Sequence, residues 1–232
     1  MALRVQPLSI VDAIAEDIRR NLFSGALRTG TQLTEADVAT SYDVARPTAK
    51  AAIEKLVSEG LLLRDAHKTA RVPAMGPDDV RDLYFSRLCM ESEAVRQLAA
   101  RKIVPDTVLK AHHDILALQQ ASGIEVTEPI VGFHSALVSA LGSQRMTRLF
   151  RNLMGEMRLC MANANYRHLL HPEIIAEEHR TILEQITVGN AEAAVSALAT
   201  HLSQAENRLV PWLEKELSPS KADASTGSSH AI

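Results

Sequence analysis

The chain has 232 residues, 46% of them hydrophobic and 23% charged, with a formal net charge of −3, so it can bury one large core or two modest ones. Two cysteines exclude a disulfide scaffold, mild acidity excludes a uniformly basic nucleic-acid coat, and no apolar run approaches membrane-spanning length. The opening MALRVQPLSIVDAIAEDIRR holds no apolar secretion core, so a cytoplasmic location and no membrane partner are expected.

Residues 1–7 are expected to be a loose arm. From Ser9, the pattern Ile10, Val11, Ile14, Ile18, Leu22 predicts a helix ended by Gly25, and residues 28–33 predict a turn and a short strand. Two short amphipathic helices follow in TEADVATSYDVARPTAKAAIEKLVSEG. Thr34 can cap the first, with Asp37 in the acidic place of a capping-box-like pattern. Tyr42, Asp43 and Val44 make the turn. The second opens near Ala45 and Arg46, tolerates Pro47 in its first turn and stops at Gly60. Its inner stripe is Ala49, Ala52, Ile53, Leu56 and Val57, which leaves Arg46 and Lys50 one turn apart on the other side. In a helix-turn-helix, this end of the second helix reaches base edges in the major groove, where Arg or Lys suits guanine.

Residues 61–64 and 69–73 predict a small β-hairpin, a wing offering Arg64, Lys68 and Arg71 to phosphates. Thr34 and Thr48 complete the expected DNA-contacting set of Thr34, Arg46, Thr48, Lys50, Arg64, Lys68 and Arg71. Residues 1–75 hold 10 Lys/Arg against 9 Asp/Glu and residues 76–217 hold 14 against 18, so DNA binding must come from local placement rather than net charge. The two-proline segment around Pro73 and Pro77 predicts a boundary: a winged helix-turn-helix over 1–75, a helical unit over 76–217 and a disordered polar tail over 218–232.

Beyond the boundary only helices are predicted: from Pro77 to about Lys102, from Pro105 to Gly123, from about Glu128 to Leu141, from Ser143 into the region of Tyr166 and His168, from Pro172 to Val188, and from Ala191 to Leu217. With no period-two strand in this half, the expected fold class is mainly α: a winged helix-turn-helix with a small β-hairpin, then an antiparallel all-α bundle.

Histidines single out this second half. His112, His113, His168 and His171 have no clear apolar face and are expected at the surface or in loops. His134 shares a face with Ile130, Leu137, Val138 and Leu141; His179 with Ile175, Ile182, Leu183 and Ile186; His201 with Ala194, Leu198 and Ala205. Three imidazoles aimed into one core each need a polar partner, and a shared cation satisfies all three at once. Taken singly, each also reads as a hydrogen-bonded core histidine. Arg87 points inward with Leu83, Met90 and Ala94, one turn from Glu91, and reads as half of an ion pair within its helix, although a buried guanidinium needs more than that. The Met90, Met154, Met157, Met161 group reads as core filler.

Residues 14–72 resemble the winged helix-turn-helix of GntR-type bacterial transcription regulators. Where that family usually has Ser-Arg, Arg-Glu and Arg-Gly, this chain has Ala45-Arg46, Lys50-Ala51 and Lys68-Thr69. GFHSALVSALGSQRM and EEHRTILEQITVGNAEAAVSALATHL resemble the helical ligand-binding domain of the FadR subfamily, of the FCD type. The resemblance implies a divalent metal ion, zinc or nickel, on His134, His179 and His201; the usual Asp ligand place is Ile130. It further implies an acidic effector held by Arg87, with Glu91 steadying the site and Arg158 and Asn163 as further candidates to line the effector cavity.

The expected function is therefore a DNA-binding regulator, a repressor by family habit. It would act as a homodimer on a palindromic double-stranded operator, with binding modulated by a small organic acid. Two other classes stay open at this point: a metal-dependent hydrolase, since three histidines with an open position also describe a hydrolytic zinc centre, and an interaction module that has lost DNA binding. Against an enzyme, no carboxylate is placed by sequence as a general base, and no nucleophile elbow or phosphate loop is present.

Overall fold

The computed structural model describes residues 9–65, 68–118, 124–163 and 171–217. The expected N-terminal arm, the tip of the wing at 66–67, the predicted end of the second long helix at 119–123, the Tyr166 and His168 region and the expected disordered tail lie outside the described residues. The described residues fall into two units, one within Met1–Ala74 plus Asn152–Asn163, the other within Met75–Arg151 plus Ala164–Ile232.

In the first unit, Ser9 caps α1 (Ile10–Phe23) by accepting from the Asp12 amide, and Ile14, Ile18 and Leu22, at helical spacing, are buried. β1 (Gln32–Leu33) leads to α2 (Glu35–Ser41), capped by Thr34. The turn holds Asp43 at φ 50°, a left-handed conformation that Asp tolerates better than most residues. α3 (Arg46–Ser58) has Pro47 in its first turn and buries Ala49, Ala52, Ile53 and Leu56. Gly60 at φ 76° ends it, where a side chain would be strained. Ion pairs tie α1 to the end of α3: Lys55 Nζ to Asp12 at 2.5 Å and Arg19 to Glu59 at 2.6 Å.

The wing differs from the predicted hairpin. β2 (Ala70–Arg71) pairs antiparallel with β1, Gln32 opposite Arg71 and Leu33 opposite Ala70, while the expected first arm is reduced to one bridge, Leu63 to Arg71. Leu61 and Leu62 are both buried, which an alternating strand cannot achieve; their amides instead return to the Leu56 carbonyl at the end of α3.

The second unit is built of helices: α4 (Pro77–Arg101), α5 (Asp106–Leu116), α6 (Ile124–Ser139), the opening of α7 (Gln144–Asn163), α8 (Pro172–Val188) and α9 (Ala191–Glu216). α4 starts with the Asp79 carboxylate accepting from the Gly76 amide at 2.8 Å, and α8 stops at Gly189, φ 83°. α4 packs most extensively along α9, α5 lies on α6, and α8 lies on α9, α5 and α4. α6 begins four residues before the predicted start and carries Pro129 within it, whereas α5 ends at Leu116, short of the expected Gly123. The grouping of Asn152–Asn163 with the first unit departs from the division expected from sequence. There, Leu159 joins the core formed by α1, α2 and α3.

Candidate functional site

Three imidazoles meet inside the second unit. His134 on α6 and His179 on α8 are fully buried and His201 on α9 is 4% exposed. One nitrogen from each lies within 4.8 Å of the others. The rings of His134 and His201 are nearly parallel with centroids 5.2 Å apart, while His179 stands edge-on to both at 5.2 and 4.7 Å.

Two of the three are held from behind in the same way. His134 Nδ1 lies 2.5 Å from the Glu91 carboxylate, which also accepts from Arg87 Nε at 2.9 Å. His201 Nδ1 lies 2.6 Å from the Glu178 carboxylate, which also accepts from Arg208 Nη2 at 3.4 Å. Each is an Arg–Glu–His chain. A carboxylate beside an arginine accepts, so both Nδ1 atoms donate, and both Nε2 atoms point away from the carboxylates. Those two Nε2 atoms face one another at 3.3 Å. Two facing lone pairs repel unless a cation or a shared proton lies between them.

Burial first, then the charge of Arg87 and the neighbouring His201, holds His134 well below the usual imidazole range. Burial first, then the surrounding histidines and Arg87, does the same to His179. Burial also raises Glu91, and the Arg87 guanidinium works against that rise by charge and by hydrogen bond. A neutral imidazole with a carboxylate behind it, as at His134, is the form in which histidine ligates a metal.

The donor set fits a divalent ion. A zinc–nitrogen bond of about 2.0–2.1 Å in tetrahedral geometry separates two ligand nitrogens by about 3.3 Å, and His134 and His201 meet that spacing. Both His179 nitrogens are buried without a hydrogen-bond partner among the described residues, so that ring has a lone pair to give. Ile130, one turn before His134, is buried and supplies no oxygen, which leaves at least one coordination position to an exogenous group.

Arg87 and Glu91 lie beside this cluster, and their pairing is more than an exposed helix contact because both side chains are buried. Arg87 Nη2 remains without a hydrogen-bond partner among the described residues, and the guanidinium lies 5.0 Å from the Tyr84 ring centre. Arg158 is not brought to this cluster: its guanidinium stands 5.5 Å over the Phe23 ring in the first unit. The side chain of Asn163 lies outside the described residues.

One expectation is overturned. His112 is not at the surface but 7% exposed, its ring centroid 6.5 Å from that of His179 and 6.5 Å from that of Phe133. Its place on α5 completes the stripe Val108, His112, Ile115, a four-and-three spacing that was present in the sequence. His113 and His171 are exposed, as expected. Glu178 was also missed; only its position beside His179 in EEHR hinted at it, since its partner His201 is on another helix.

In the first unit, Arg46 and Lys50 are exposed at the N-terminal end of α3, Thr48 is half-buried, and Lys50 pairs loosely with Glu54 at 3.7 Å. Thr34 is committed to its helix, accepting from the Asp37 amide and donating to the Asp37 carboxylate. Lys68 is 71% exposed, Arg71 is half-buried, and Arg64 turns toward Glu35 at the head of α2, 3.4 Å away.

Residues 10–72 match the family described as bacterial regulatory proteins, gntR family, and residues 82–204 match the FCD domain. The chain belongs to the GntR family and carries an FCD domain. Its similarity to HTH-type transcriptional regulator BphR of Paraburkholderia xenovorans is 26% identity, covering 84% of this chain and 82% of that one. To HTH-type transcriptional regulator YdhC of Bacillus subtilis it is 25% identical, covering 85% and 90%. Among solved structures, a GntR transcriptional regulator from Rhodococcus sp. RHA1 superposes with a TM-score of 0.76 at 26% identity, covering 88% of this chain and 99% of that one. This is a family of transcription regulators, a non-enzymatic class, which sets aside the hydrolase reading of the three histidines. Among the described residues, no helix is long and apolar enough to cross a membrane.

Proposed function

We propose that this GntR-family regulator is a cytoplasmic homodimeric repressor that releases a palindromic operator when a small organic acid binds in its FCD domain beside a divalent ion. The reading rests above all on the facing Nε2 atoms of His134 and His201, whose 3.3 Å spacing a divalent cation would bridge. His134, His179 and His201 would hold zinc or nickel, with Glu91 and Glu178 fixing two of the rings from behind. Bound there, the ion would supply Lewis-acid affinity for a carboxylate oxygen at the position Ile130 leaves open. Arg87 Nη2, buried and without a hydrogen-bond partner among the described residues, would be a charge-assisted donor for the same acid.

Arg46 and Lys50, exposed one turn apart on α3, would read base edges, and Lys68 and Arg71 would hold phosphates. Thr34 and Thr48 would add polar contacts, and Arg64 would serve mainly to seat the wing against α2. A dimer presents two such helices to two half-sites. Support for repression comes from a relative named HTH-type transcriptional repressor RspR, of Escherichia coli, 22% identical over 191 residues. An acid that binds one arrangement of the dimer better than another shifts the equilibrium by that difference in affinity and by no more.

The test is a gel shift with duplex from the protein's own upstream region. Metal-replete protein should retard the band with a steep salt dependence, and a panel of small organic acids should contain one that releases it. An unshifted band at low salt would remove the DNA-binding reading; a shift indifferent to every acid and to chelator would remove the sensing one.

A further inference from the structure

The three histidines of the FCD domain are not equivalent. Two have an Arg–Glu chain behind them, and His179 has none: both of its nitrogens are buried and unpartnered among the described residues. Only one of those nitrogens can face the other two rings. The second is a polar atom in an apolar setting, with Phe133 stacked on the ring at 3.7 Å and 11°, and such an atom is costly to leave unsatisfied. A nearby imidazole with the same deficit is His112, 6.5 Å away, whose Nδ1 also lacks a partner among the described residues.

The two rings lie 6.5 Å apart, centroid to centroid. An imidazole nitrogen sits about 1.2 Å from its ring centre, given ring bonds of about 1.33 Å, so a direct N–H···N bond of about 3 Å allows centroids at most about 5.4 Å apart. The observed distance is too long for that. One oxygen atom bonded to both nitrogens at about 2.9 Å spaces the nitrogens by about 4.6 Å and allows centroids up to about 7 Å apart. We propose that His112 is the outer partner of His179, joined to it by a single buried water that bonds His112 Nδ1 and the His179 nitrogen turned away from His134 and His201. His112 is thus a positioning residue: it acts on the metal site only through His179. The FCD centre is then asymmetric, two of its imidazoles backed by anions and the third by a neutral ring and a water.

The geometry stands without a metal; the functional consequence rests on the three-histidine reading above. Crystals of the metal-free full-length chain should show one oxygen-sized density within hydrogen-bond distance of both nitrogens. In solution, Co2+ titrated into the full-length protein and followed by visible absorption should bind about ten- to hundredfold more weakly to His112→Phe, which fills the space and offers no acceptor. His112→Asn, whose amide falls near the place of Nδ1, should recover affinity to within about threefold while thermal unfolding shows both variants folded. Empty density between the rings, or His112→Phe binding Co2+ as tightly as the parent, overturns the proposal. A parent chain that binds no Co2+ overturns the metal reading instead, and the density still decides the bridge.

Discussion

Nε2 of His134 and Nε2 of His201 face each other at 3.3 Å, while Nδ1 of each ring is turned to a buried or nearly buried glutamate. A divalent cation held between the two Nε2 atoms would stabilise the folded chain over the unfolded one, which has no such pair. Protein stripped with chelator and then returned to zinc at about one hundred times the dissociation constant should gain about 2.7 kcal/mol. For a chain of this length that is a rise in Tm of about 5–10 °C. Calorimetry with and without zinc measures it, and identical traces would remove the shared cation.

Ile130 is buried one helical turn before His134. Ile130→Asp adds an oxygen ligand on that face, so zinc affinity should rise at least about tenfold, while the metal-free protein should lose about 2–4 kcal/mol from a buried carboxylate without a partner. Competition with a chromogenic chelator reads the first quantity and urea unfolding the second. Unchanged affinity in a folded variant would mean that the site opens elsewhere.

Glu91 serves two buried groups at once, Arg87 and His134. Glu91→Leu strands a guanidinium and should cost about 3–5 kcal/mol, whereas Arg87→Met combined with Glu91→Leu should recover most of that loss, because an apolar pair replaces an ion pair nearly without penalty. The double variant should still bind zinc more weakly, by about ten- to hundredfold, since His134 loses its orienting carboxylate. Equal stability of the single and double variants would contradict a desolvated pair.

Acid should weaken the metal-free fold. His134 and His179 are held well below 6.5, chiefly by burial, whereas in the unfolded chain they titrate near that value. Below about pH 6.5 the unfolded state takes up protons that the folded state refuses, so this contribution is intact above that pH and declines below it, at up to about 1.4 kcal/mol per pH unit for each ring. Urea midpoints in chelator should be lower at about pH 5.5 than at about pH 7.5, with a shallower slope for His179→Phe. A midpoint independent of pH across that window is the contrary result.

On α3, Arg46→Ala and Lys50→Ala should each weaken specific DNA binding by about 1–3 kcal/mol and relax base choice, whereas Lys68→Ala should weaken all sequences alike and lower the salt slope by about one. Arg64→Ala should act differently, since its guanidinium is occupied with Glu35: binding should fall with little change in salt slope. Fluorescence anisotropy across a salt series separates these outcomes, and a double Arg46, Lys50 variant that still selects its site would move the reading surface elsewhere.

Local signals made most of the fold legible. The cap at Thr34, the glycine stops at Gly60 and Gly189 and the helical stripes around His134, His179 and His201 mark helices and inward faces from neighbours a few residues apart. Errors arose where a decision belonged to distant residues. The third helix of this half is expected from about Glu128, yet α6 begins at Ile124 and runs through Pro129, because packing against α5 and α4 outweighs one lost backbone bond. Leu61 to Arg64 reads as a strand, but the α3 core takes both leucines. Glu178 and His112 act only through partners on other helices, Glu178 on His201 and His112 beside His179, and no spacing within their own helices announces that role.

The pairing of α4 with α9 puts Glu91 and His201 in one site although they sit at opposite ends of the second half of the chain. On the ribosome, the first helix of that bundle must wait for the last to emerge before the cage around the ion can close. An ion bound by these histidines would therefore enter as a seal on a finished bundle rather than as the seed of its folding, and a nascent chain halted before α9 would emerge with two imidazoles and no clasp to hold them.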